Sequence, residues 1–305
     1  MNSFPPDNLP APHEGQPDSF AATPLPGAEP AEPRPEFRSR PEFETQQLPG
    51  CPPRADSRTP FRGIDLVYLM LFYFIAGGVL TVIVAAGAFV FFGISPAALR
   101  SSTAEWASVL IISQALLSGA TLIFLYTVVR GRSAAPFWQT MGWRGFRNMA
   151  SSGSVMLRYV FGGFALAVVV GWLGNFVGRE SGIPMEELFR SRQSVLMLMA
   201  LGILVAPVVE ETIFRGCIYP VIARKFGITT GILATGTLFG LAHAQQLGGA
   251  WGQIGLLVCV GIVLTYVRAR AGTVAASYFV HLGYNTILFA GFYIATGGLR
   301  QLPGA

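Results

Sequence analysis

The chain has 305 residues, is 52% hydrophobic and 12% charged, and carries a formal net charge of +5. An average soluble globular domain has about 25% charged residues, so this composition excludes an ordinary soluble fold and points to a protein embedded in lipid. The basic balance does not signal a nucleic-acid partner: no basic patch is interleaved with stacking aromatics, and nine of the 16 acidic residues fall within the first 60 positions.

Residues 1–60 come first and hold 15 of the 21 prolines, with Glu, Ser and Gln between them. Such a segment buries too little apolar surface to offset its ordering entropy, and it is predicted to be a disordered tail. RPEF occurs at 34–37 and again at 40–43, which reads as local duplication in an unconstrained stretch. The opening MNSFPPDNLP is polar and is not a Sec-type signal, so export signalling is expected from the first membrane span. Cys51, Cys217 and Cys259 are too scattered for a disulfide framework or a zinc pattern.

From residue 61 to 305 the chain reads as one multi-span membrane domain. A helix needs about 20 apolar residues to cross the hydrocarbon. The charge-free runs predict seven such helices, roughly 64–93, 105–129, 156–178, 194–217, 227–245, 252–267 and 273–296. Helices are required because lipid satisfies no backbone polar group. The expected fold is therefore all-α, a polytopic transmembrane bundle behind a disordered tail. Arg54, Arg58 and Arg62 precede the first predicted span, and Arg130, Arg132, Arg144 and Arg147 follow the second. By the positive-inside rule this bias sets the N-terminus in the cytoplasm, with the chain multi-pass in a bacterial inner membrane.

Few ionisable groups enter these spans, and an ionisable group in hydrocarbon marks function by default. The run VVEETIFRGCIYP carries Glu210, Glu211 and Arg215. Glu211 and Arg215 share a helix face at i,i+4, while Glu210 points about 100° away and stays free to act as a general base. His243 follows Phe239 by one turn, and His281 precedes Asn285 by one turn. Glu210 lies about 16 residues before the predicted turn near Gly227 and His243 about 16 after it, while His281 and Asn285 are about 10 and 15 residues past Arg270. Counted at about 1.5 Å per residue, the four groups fall at one level of the bundle.

Together these residues read E-E-x-x-x-R, F-x-x-x-H and H-x-x-x-N on separate helices. The set resembles the glutamate-type intramembrane proteases of the CAAX-protease and bacteriocin-processing family, the type II CAAX prenyl endopeptidase-like proteins, over about residues 190–296. The resemblance implies that Glu210 activates a water for attack on a peptide carbonyl. It implies that His243 orients that water and shuttles a proton, and that Asn285 with His281 stabilises the oxyanion. Glu211 and Arg215 are implied to form a structural ion pair, with Phe239 as packing beside them. No cofactor is implied. The partners implied are the lipid bilayer and a lipidated, leader or membrane-protein peptide as substrate.

Other readings of the same residues stand beside this one. Buried histidines serve as interhelical hydrogen-bond glue. Two Glu and two His could bind a divalent metal, although an H-E-x-x-H helix is absent and Asn285 is a poor zinc ligand. A Glu/His cluster also fits a proton-coupled carrier, against which the spans show no inverted repeat, or a non-enzymatic membrane adaptor.

Overall fold

The computed structural model describes residues 59–95, 104–177, 188–189 and 191–302. The proline-rich tail and its RPEF repeat lie outside the described residues. Among those described, the chain is helical with no strand. The main helices are α1 (Gly63–Phe92), α2 (Ala104–Arg130), α3 (Phe137–Thr140), α4 (Phe146–Ser151) and α5 (Gly153–Gly174). They are followed by α6 (Arg192–Phe226), α7 (Ile228–Ala242), α8 (Trp251–Ala271) and α9 (Val274–Ala295).

Five of these helices, α1, α2, α5, α6 and α8, are long and apolar enough to cross a membrane. The expected count of seven is corrected at the other two. Helix α7 has 15 residues, about 22 Å of helix against about 30 Å of hydrocarbon. Helix α9 has 22 residues and no charged group, but Ser277, His281 and Asn285 dilute its apolarity. Absence of charge was the wrong criterion there, because polar uncharged side chains fill the helix that faces the others. Two further boundaries move. Helix α6 runs on for 35 residues to Phe226 and turns into α7 at Gly227 alone, whose φ of 88° suits a residue without a side chain. Helix α8 extends past its predicted end because Arg268, read as a loop charge, is 3% exposed and packed inside the bundle.

Helix α6 is not a uniform α-helix. Leu201–Val205 and Thr212–Ile218 are π-helical, and the α-helical turn Ala206–Glu211 lies between them. Such bulges are rare and concentrate at functional sites. Both of them flank Glu210 and Glu211.

Small residues bring the backbones together around this helix. Gly236 and Gly240 on α7, spaced as G-x-x-x-G, face α8, and a Cβ at Gly236 would lie 2.6 Å from the Ile262 amide nitrogen. A Cβ at Gly261 on α8 would lie 2.6 Å from the Gly236 carbonyl. On the other side, a Cβ at Gly283 on α9 would sit 2.2 Å from the Val160 carbonyl of α5. Van der Waals packing at such close crossings replaces the hydrophobic driving force that lipid does not supply. Gly261→Ala is therefore expected to lower stability by about 1–3 kcal/mol. Gly255→Ala, on the same helix but meeting no atom within 4 Å, should leave Tm unchanged or slightly higher. Thermal unfolding in detergent reads both.

The membrane-edge segments are tied to the same helices. Asp65 accepts from the Arg62 amide at the start of α1 and pairs with Arg132 beyond α2. Arg224 at the end of α6 donates to the Thr59 and Phe61 carbonyls at 2.9 and 2.6 Å. Trp143, between α3 and α4, donates its indole N–H to Thr212 Oγ1 at 3.0 Å. Thr273, which caps α9, donates to the Arg144 carbonyl at 2.6 Å. The loop after α2 thus holds both the helix that carries the two glutamates and the helix that carries His281.

Candidate functional site

At the centre lies Arg215, fully buried at 0% exposure. Its guanidinium donates from Nη1 to Glu211 Oε1 at 2.8 Å, from Nη2 to the Gly261 carbonyl at 2.9 Å, and from Nε to Thr265 Oγ1 at 3.3 Å. Its Cζ lies 4.6 Å from the Phe239 ring centroid. Three donors and a ring face satisfy one cation in a place with no water, which is the condition for keeping a charge there. The i,i+4 pairing of Glu211 with Arg215 is present, although a π-helical segment begins between them.

Glu211, also at 0% exposure, does more than pair. Its Oε1 also lies 2.9 Å from His281 Nδ1. A carboxylate paired with a guanidinium accepts, so Nδ1 donates and carries a proton. The second ring nitrogen, Nε2, then turns to Glu210, whose Oε2 lies 3.8 Å away. That distance is beyond a direct hydrogen bond. The Glu210 side chain is 26% exposed, unlike its sealed neighbour. The adjacent carboxylates therefore have different surroundings, one locked to a cation and one open on its far side.

His243 occupies a different position from the one counted along the chain. It is the C-cap of α7, just past the last helical residue Ala242, and not within a span. Its Nδ1 lies 2.8 Å from the Phe239 carbonyl. A carbonyl only accepts, so Nδ1 carries the hydrogen, and one orphan carbonyl of the helix end is satisfied. In the neutral ring the lone pair is then on Nε2. The turn that follows passes through Gly248 and Gly249, both at positive φ. Helix α7 ends here because the His243 ring takes a last-turn carbonyl and flexible residues follow.

Phe239 connects the imidazoles. Its ring lies 4.9 Å from the His243 ring and 5.8 Å from that of His281. It is 2% exposed and packs against the Arg215 guanidinium. Asn285 stands one turn after His281 on α9, and its Nδ2 donates to the Gly202 carbonyl on α6 at 2.7 Å.

The structure thus joins Arg215, Glu211, His281 and Glu210 in one chain of contacts, and adds His243 through Phe239. The Asn285 carboxamide is turned toward α6. Sequence reasoning did not find the Glu211–His281 hydrogen bond, the Gly261 and Thr265 partners of Arg215, or the Gly202 partner of Asn285. Gly261 carried a signal, because a glycine opposite a G-x-x-x-G stripe marks a close crossing. The other three contacts carried none. Among the described residues, no group of three or more His, Cys, Asp or Glu side chains is placed to hold a metal ion.

Comparison with known proteins places these helices in context. Residues 192–287 match the model of the family described as Rce1-like, Type II CAAX prenyl endopeptidase Rce1-like. A Bacillus subtilis (strain 168) protein provisionally named a membrane peptidase, YdiL, is 26% identical over 112 residues, covering 37% of this chain and 43% of its own. An Escherichia coli "Uncharacterized 24.3 kDa protein" is 30% identical over 132 residues, covering 40% of this chain and 59% of its own. The "CAAX prenyl protease 2" of Arabidopsis thaliana is 25% identical over 162 residues, covering 45% and 50%. The chain spans about half the length of the curated relatives it matches. No solved structure matches it.

Proposed function

We propose, from the match of residues 192–287 to the Rce1-like family model, that the chain is an intramembrane endopeptidase that hydrolyses a peptide bond with a water activated by Glu210. The observation that carries this reading is the asymmetry of the two glutamates. Glu211 is consumed by Arg215 and His281, whereas Glu210 comes no nearer than 3.8 Å to His281 Nε2 and is partly open. A carboxylate held by no direct hydrogen bond, beside a histidine ring in a low-dielectric wall, is what abstraction of a proton from water needs.

In this mechanism Glu210 takes a proton from a water as the water oxygen attacks the scissile carbonyl. His243, with its lone pair on Nε2, orients that water, then accepts the proton from Glu210 and gives it to the amine as the C–N bond breaks, which returns Glu210 to carboxylate and His243 to its neutral form. Charge develops on the substrate oxygen. His281 donates to it from Nε2, and because its Nδ1–H is already given to Glu211, it does so as imidazolium. Glu211 stabilises that cation. Asn285 supplies the second N–H. Preorganised donors of this kind are each worth about 10²–10³ in kcat. The substrate is a lipidated, leader or membrane-protein peptide that reaches the site from the bilayer, and the protein works as a multi-pass membrane enzyme.

The test is release of peptides from native membranes. Membranes containing the wild-type chain are compared by mass spectrometry with membranes containing His243→Ala. Fragments that appear only with the wild type, with cut sites near a membrane-spanning or lipidated segment, are the expected result. Identical peptide profiles at equal protein level would remove the protease reading.

A further inference from the structure

We propose that Pro207 is a positioning residue, which fixes the carboxamide of Asn285 by denying the Gly202 carbonyl its main-chain donor. The π-helical segment Leu201–Val205 hands over to α-helix through an i→i−5 hydrogen bond from the Ala206 amide to the Leu201 carbonyl. The next amide in that register is residue 207, and its acceptor would be Gly202. Proline has no N–H, so that bond is not made. A carbonyl left without a donor inside a membrane bundle is costly. The Asn285 Nδ2 fills the vacancy at 2.7 Å.

A second observation shows that α9 is brought up to this spot by design of the sequence. A Cβ at residue 202 would lie 2.8 Å from the ring of Phe289, one turn beyond Asn285 on α9. A side chain at 202 would have to displace the Phe289 ring, so glycine suits the close approach of α9 to this backbone.

The consequence is orientational. The Gly202 oxygen accepts only, so the end of the carboxamide that faces it is the NH₂ and not the C=O. One N–H is held by Gly202, and the other projects in the amide plane at a fixed direction. An asparagine free to flip would offer an oxygen to a developing oxyanion half of the time. The geometry therefore supplies Asn285 with a single donor orientation before substrate arrives. This inference rests on the proposed role of Asn285 in hydrolysis, whereas the hydrogen-bond exchange beneath it does not.

A cycle of Pro207→Ala, Asn285→Ala and the double variant of the full chain separates the two. The first readout is Tm in detergent. Alanine at 207 restores the missing N–H, so it should raise Tm more in the Asn285→Ala background, where the carbonyl is orphaned, than in the wild type. Equal effects in both backgrounds would overturn the exchange. The second readout is cleavage of a membrane-anchored peptide that the wild type releases. Pro207→Ala should lower kcat by about tenfold to a hundredfold with KM within about threefold, and should cost nothing further in the Asn285→Ala background. An unchanged kcat, or losses that multiply in full, would overturn positioning. Pro207→Gly, which also restores the N–H, repeats both arms if alanine disturbs folding. A wild type that cleaves no peptide removes the protease reading and the kinetic consequence together, while the Tm cycle still decides the exchange.

Discussion

Replacing Glu210 with glutamine is expected to lower kcat for peptide hydrolysis by about 10²–10⁴-fold, the range general-base groups contribute, with Tm moved by less than about two degrees. The two halves of this result come from the same geometry. Glu210 stands 3.8 Å from His281 Nε2, beyond a direct hydrogen bond, and its side chain is 26% exposed. Removing its charge leaves His281 its closer partner, Glu211 at 2.9 Å. Glutamine keeps the shape and loses the basic oxygen. KM should stay within a few-fold, because the lost interaction develops with proton transfer and not with binding. Glu211→Gln gives the contrasting pattern, because that carboxylate compensates Arg215, and its removal should lower Tm as well as kcat. If Glu210→Gln cleaves at the wild-type rate, water activation belongs to another group. If it unfolds, Glu210 is structural.

Much of this arrangement was legible in the sequence, for a reason that also explains what was not. A membrane span is read by summing apolarity along one dimension, and the chain's long charge-free runs match the ends of α1, α2 and α5 to within a few residues, and those of α9 as a helix though not as a span. Summing apolarity does not give rotation about a helix axis. The Glu211–His281 contact at 2.9 Å joins residues 70 apart in sequence and depends on how α6 and α9 are turned toward each other. Gly202 packs against the Phe289 ring where α6 meets α9, and Gly283 brings α9 against Val160 of α5. The π-helical segments were missed for a related cause. A π-bulge is stabilised by its surroundings more than by its own residues, and only Pro207 hinted at a break in α6. His243 was placed inside a span because LFGLAHA is apolar, yet the ring itself ends the helix by bonding the Phe239 carbonyl. In each case the side chain whose role was predicted also shapes the backbone, and single-sequence patterns do not report that.

Arg215→Met is expected to destabilise the folded chain by about 3–5 kcal/mol, the cost of leaving a buried charge without its partner. Glu211 is at 0% exposure, with Arg215 and His281 as its partners at 2.8 and 2.9 Å. Without the guanidinium it keeps the His281 N–H, in a site closed to bulk solvent. Combining Arg215→Met with Glu211→Gln removes both charges and fills the space, and should recover most of the lost stability, since replacing a whole buried pair is often neutral or better. Activity should not recover with it. In the double variant the residue facing His281 Nδ1 is an amide that can present either NH₂ or oxygen, and no carboxylate remains to stabilise an imidazolium. A stable, well-folded Arg215→Met/Glu211→Gln chain with kcat reduced about a hundredfold or more would show that the ion pair serves His281 as well as the fold. Wild-type kcat in that double variant would reduce Glu211 and Arg215 to a salt bridge within α6 whose guanidinium also ties α6 to α8 through Gly261 and Thr265, and the proton on His281 would need another source of stabilisation. Denaturant unfolding in mixed micelles and peptide-cleavage kinetics on the same preparations give the two numbers that decide between these outcomes.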